Sequence, residues 1–208
     1  MTKTSMSIHR ALAELKLLDK RITVAVAERF VAVTSGEKAP AHYPSIEVFE
    51  NEAKASVDKV NDLIERRKVI KSAIIASNAV TLVRIAGVEM TVAEAIDRRD
   101  TGIEYDEQLL VNLRNQLMNA DREKLRLEAD LRDRTQKHIE VSFPKEGTHK
   151  PEEVAEAEEA FMKRHEVKLL DPANIRAMIK KLQDDIEQFK AEVDYSLSES
   201  NTQTLIEV

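Results

Sequence analysis

Cysteine is absent from all 208 residues, which excludes disulfides, thiolate metal sites and thiol nucleophiles. Tryptophan is missing too, and the aromatic content is limited to 5 Phe and 3 Tyr. Any core is therefore aliphatic, and the bulky anchors that line many ligand pockets are scarce. With only 4 Gly and 5 Pro, tight turns are few and regular elements long. The longest uncharged stretch, residues 72–83, has 12 residues and includes Asn78. That is short of the ~20 apolar residues a spanning helix needs, so no membrane span is expected. A formal net charge of −6, with both signs interleaved, is wrong for a protein that lives on phosphate backbones, and no nucleic-acid partner is expected. The polar residues 1–7 hold no secretory apolar region, which points to a protein made in the cytoplasm.

What the chain does contain is helix-forming. Ala, Glu, Lys, Leu and Arg make up a little under half of it, the level of long helices and coiled coils. Over residues 7–34, Ile8, Leu12, Leu15, Leu18, Ile22, Val26, Phe30 and Val33 fall at steps of three and four, one stripe of a helix capped by Ser7. A loop over residues 35–45 follows, and Ser45 caps a second helix with the stripe Phe49, Ala53, Val57, Val60, Leu63/Ile64, Ile70 and Ile74, stopped at Ser77-Asn78. Two long helices joined this way are expected to pack antiparallel.

The period then changes. Residues 79–91 form two β-branched runs about Ala86-Gly87 and predict a β-hairpin built on Val80, Leu82, Ile85, Val88 and Met90. Thr91-Val92-Ala93-Glu94 is a capping box. It opens a stripe through Val92, Ile96, Ile103, Leu110, Leu113, Leu117, Ala120, Leu127 and Leu131, one helix with a weak point at Thr101-Gly102. Residues 139–170 read as an inserted loop and acidic helix starting at Pro151. Asp171-Pro172 caps the last helix, and residues 201–208 are a terminal strand carrying Leu205 and Ile206. Ser77-Asn78-Ala79-Val80-Thr81-Leu82 is echoed by Ser200-Asn201-Thr202-Gln203-Thr204-Leu205. The echo suggests two related helix–strand units, the second strand joining the hairpin as a third, since a lone hairpin is marginal in water.

Residues able to do chemistry form no constellation. His9, His42, His138, His149 and His165 match no metal-ligand spacing. No phosphate loop, dinucleotide fingerprint or nucleophile elbow occurs. The acidic run Glu152, Glu153, Glu156, Glu158 and Glu159 reads as a solvated face, with a basic docking partner as the functional alternative. The basic groups Arg66-Arg67-Lys68 and Arg98-Arg99 have acids within a turn, which explains them by local pairing. No catalytic, cofactor or metal residues are assigned.

At Asp62-Leu63-Ile64-Glu65-Arg66, Ser77-Asn78-Ala79, the hairpin, and Thr91-Val92-Ala93-Glu94-Ala95-Ile96-Asp97-Arg98-Arg99-Asp100, the chain resembles the septicolysin-like family of small helical bacterial and phage proteins. The resemblance covers residues 62–100, extends in outline over 171–205, and leaves out 139–170. It implies no activity and no catalytic residues. Its look-alikes in tailed phages imply a virion or assembly role; its lysin-type name implies membrane damage.

The expectation is a single elongated, mainly α domain, 1–208. It comprises long antiparallel helices as a hairpin or coiled-coil-like bundle, with a small β-hairpin or three-stranded sheet. Stripes through Ile8, Leu12, Leu15, Ile22, Leu110, Leu113, Leu117, Leu127 and Leu131 would join helices and copies of the chain into a homo-oligomer. Such a protein would be non-enzymatic and structural, with other virion proteins as partners; a membrane-active, toxin-like protein is the alternative.

Overall fold

Helix caps and apolar spacing account for most of the architecture seen in the computed structural model, which describes residues 4–144, 147 and 149–208. The protein is mainly α, 72% helical. The order is β1 (Ser5–Ser7), α1 (Ile8–Ala25), α2 (Ile46–Asn78), β2 (Leu82–Ile85), β3 (Val88–Thr91), α3 (Val92–Asp97), a π-helical turn (Arg98–Gly102), α4 (Ile103–Ser142), α5 (Pro151–Arg164), α6 (Ile175–Gln203) and β4 (Leu205–Glu207). The chain divides into two compact units. One takes in the chain up to Thr101 and again from Gln188; the other is Gly102–Glu187.

In the first unit the Ser7 hydroxyl accepts from the Arg10 amide and opens α1, while Ser45 does the same for Val48 and opens α2. The helices run antiparallel, tied by Glu14–Arg66 at 2.9 Å and Asp19–Arg67 at 2.5 Å, with Glu28, just past the end of α1, pairing with Lys59 at 2.8 Å. Between them lies a core of Met6, Ile8, Ala11, Leu15, Leu18, Ile70, Ile74 and Ile206. α1 stops at Ala25, short of the expected Thr34. The Ala27 and Glu28 amides close the end with bonds three residues back. The β-branched run Val31, Val33, Thr34 beyond it has little helix propensity. Val31 and Val33 stand exposed in the connection to α2 rather than on a helical stripe.

The terminal strand does not join the hairpin. β4 pairs antiparallel with β1, Met6 opposite Ile206, and β2 pairs with β3 alone, giving two separate two-stranded sheets among the described residues. The reason is packing. Pairing with β1 places Met6 and Ile206 in the α1–α2 core, and the Thr4 amide donates to the Val208 carbonyl at 2.8 Å while the Val208 amide returns a bond at 3.0 Å. The echoed segment also diverges at its exit, since α6 runs on to Gln203 before the strand starts. In the hairpin, Ala86 (φ 51°) and Gly87 (φ 75°) are both left-handed, the geometry of a two-residue type I′ turn.

Thr91 forms the expected capping box with Glu94. The helix it opens is continuous over 51 residues, 92–142, and its weak point at Thr101-Gly102 takes the form of the π-helical turn. Before that turn, the Arg98 guanidinium lies over the fully buried Phe189 ring, 4.5 Å from its centre.

In the second unit α4 meets α6 through Arg114–Gln183 and Arg176–Asp121, the latter at 2.7 Å to both carboxylate oxygens. One partner advances as the other recedes, so this pairing is antiparallel. α6 starts at Ile175, three residues beyond the Asp171-Pro172 cap read from the sequence: a turn with Asn174 left-handed (φ 52°) intervenes, and the Asp171 carboxylate reaches across it to accept from the Ile175 amide at 2.8 and 2.9 Å. The inserted α5 packs along the last turns of α4, where the His138 ring stacks on Phe161 at 4.5 Å.

Candidate functional site

The residues picked out as helix-joining positions are mostly occupied within the chain. Ile8 and Leu15 are in the first unit's core, Leu12 packs against it, and Ile22 is half-buried. In the second unit Leu110, Leu113 and Leu131 are buried, Leu117 is half-buried and Leu127 is exposed. A surface for another molecule must therefore be sought on other faces of the same helices.

On the β element, Ile85 and Ile206 are buried and Met90 is half-buried, whereas Val80, Leu82, Val88 and Leu205 are exposed. Val80 precedes the strand altogether. The inward residues of β2 are Val83 and Ile85, so the expected parity was off by one at Leu82. Arg84 carries the missed signal: its charge has to face water, which turns Leu82 outward with it and Val83 inward.

Groups capable of chemistry are dispersed. Phe161 gathers His138 at 4.5 Å and His165 at 4.6 Å, and His149 sits edge-on to Phe143 at 5.1 Å; His9 and His42 are exposed. Arg66 and Arg67 pair across to α1 rather than within their own helix, and Arg99 pairs with Asp100 at 2.7 Å and Asp194 at 3.5 Å. The acidic residues Glu152, Glu153, Glu156, Glu158 and Glu159 are all exposed on α5. Among the described residues no group of three or more His, Asp or Glu is placed to hold a metal ion. Glu28, Glu94, Asp100 and Glu192 are held below their usual carboxylate pKa chiefly by hydrogen bonds, those of Glu28 and Asp100 coming from Lys59 and Arg99. Glu94 accepts from the Thr91 amide and hydroxyl, and Glu192 accepts from the Ala86 amide and the Gln188 side chain.

No family model matches the chain, and the searches of curated proteins and of solved structures found no match.

The remaining feature is apolar surface on the outward helix faces. On α4, Val111, Met118 and Leu125 recur every seven residues and are exposed, while Leu110, Leu113 and Leu131 on another face are buried. On α2, Val57, Ile64 and Ile75 are exposed at 43%, 45% and 58%. The sequence spacing places Val57, and Ile64 beside Leu63, on the same stripe as Phe49 and Ile70. By the ~100° helical step Val57 lies instead about 110° round the axis from the buried residues Phe49, Ile70 and Ile74. α1 adds Leu17 and Val24, also seven apart and exposed. A second apolar line on each of three helices is the arrangement that makes helix-to-helix docking with another molecule possible.

Proposed function

We propose that the protein is a non-enzymatic structural or assembly component that works as a helical homo-oligomer. The observation that supports this reading is the second, outward line of large aliphatic side chains on α1, α2 and α4. Single exposed aliphatics need no explanation, but repeats at seven-residue spacing along helices of 33 and 40 residues do. The resemblance to phage proteins makes a tailed-phage particle the setting we favour, with other virion proteins as further partners. Light scattering with sedimentation equilibrium is the test: an oligomer at micromolar protein supports the proposal, and a monomer at tens of micromolar removes it.

A membrane-active, toxin-like protein is the second reading. It draws on Val31 and Val33, which stand almost fully exposed in the connection between α1 and α2. Against it, no helix among the described residues is long and apolar enough to cross a membrane. Dye release from liposomes at low protein concentration favours this reading; intact liposomes favour the first.

A further inference from the structure

Six residues of α2 follow one another along its exposed side: Ile46, Glu50, Val57, Ile64, Lys71 and Ile75. Their spacing is 4, 7, 7, 7 and 4 residues, which at about 100° per residue keeps all six within a band about 60° wide. The band has the same order of character from either end: apolar, charged, apolar, apolar, charged, apolar. Only the sign of charge changes, acidic near the N-terminus and basic near the C-terminus. Five of the six are exposed and Ile46 is half-buried. The opposite flank of the helix, with Ile70 and Ile74, is filled by the α1 core.

We propose that this band is the contact for a second copy of the chain, with the two α2 helices antiparallel about a two-fold axis between Val60 and Asn61. In that register Ile46 of one copy meets Ile75 of the other, Val57 meets Ile64, and Glu50 meets Lys71, each contact occurring twice. The symmetry is isologous, as a closed dimer requires. Charge selects the direction. A parallel pair would set Glu50 on Glu50 and Lys71 on Lys71, like charges face to face, and an antiparallel pair converts both into attractions. Glu47 and Lys68 flank the band with the same polarity and reinforce the choice. From Ile46 to Ile75 the contact runs about 44 Å at 1.5 Å per residue.

The inference rests on the homo-oligomer reading and specifies its surface, so the test separates the two. Because the chain has no cysteine, introduced thiols are unique probes. The antiparallel register predicts that the double variant Val57→Cys/Ile64→Cys forms a disulfide-linked dimer under mild oxidation, while each single variant stays unlinked. Linking of the single variants as well as the double means a parallel pair and overturns the proposal. Glu50→Lys is expected to raise the dimer dissociation constant at least about tenfold, and Glu50→Lys with Lys71→Glu to return it to within about threefold of the parent. Circular dichroism checks that each variant is folded. An oligomer that persists unchanged in Glu50→Lys and fails to link in the double variant leaves the homo-oligomer reading standing and removes this one. A parent chain that is monomeric at tens of micromolar removes both.

Discussion

Ile85 and Leu82 lie three residues apart on the same strand and illustrate how far one side chain's environment departs from its type. Ile85 is fully buried and Leu82 is 58% exposed. Ile85→Ala is expected to lose ~2–5 kcal/mol in a urea titration, and Leu82→Ala to stay within ~0.5 kcal/mol of the parent. The reverse ranking would mean that the strand register is shifted by one. At the start of α3, Thr91→Ala should lose ~1 kcal/mol through the missing cap. Its partner Glu94 sets a pH dependence. Hydrogen bonds from the Thr91 amide and hydroxyl lower its folded-state pKa. The stabilisation is therefore complete above the ordinary carboxylate pKa, near 4.3, and is lost as pH falls through that value and then through the folded one. Glu94→Gln is expected to flatten the acid side of the stability profile measured between about pH 6 and pH 2; an unchanged acid limb would remove this carboxylate from the account.

Among the elements, those set by local chemistry were legible in the amino-acid order. Ser7, Ser45 and Thr91 each cap the helix predicted to follow them, because a cap needs only a short polar side chain and amides within three residues; Asp171 bonds the first amide of α6 from four residues away, across a turn. The strand β1 was not legible. Ser5-Met6-Ser7 has no β-branched residue and only three positions, and it is a strand because Leu205–Glu207 lies beside it. The end of α1 was misjudged for a related reason: Phe30 and Val33 continue a helical spacing, yet their backbone propensity opposes it. The outward bands on α2 and α4 escaped a reading that looked for one stripe per helix, since a second stripe appears only when the first has been assigned its partners. Pairing of β1 with β4 makes its own prediction. Removing residues 204–208, or replacing Ile206 by Ala, should lower stability sharply, the point substitution by ~2–5 kcal/mol. Amide exchange should show that the Ile70 and Ile74 region loses protection along with the strands; retained protection would disconnect the sheet from the core.

For the whole molecule, the stability derives from aliphatic burial rather than from charge. Its ion pairs, such as Lys59–Glu28 and Arg176–Asp121, are largely solvent-exposed, and exposed pairs contribute ~0–1 kcal/mol each. Raising the salt to about 1 M, where screening acts within ~3 Å, should shift the melting temperature of the folded chain by only a few degrees. The same salt should weaken the proposed dimer, whose direction depends on Glu50 meeting Lys71. A dimer indifferent to salt would argue for a contact made by apolar residues alone.

The β1–β4 ladder also has a mechanical meaning. Thr4 and Val208 lie side by side at the open end of the ladder, about one strand spacing (~4.8 Å) apart. A load drawn on both ends therefore peels the rungs one after another, starting at Thr4 and Val208, instead of shearing them together. Optical-tweezer extension should register this latch opening first, at low force, with a few residues of added contour length.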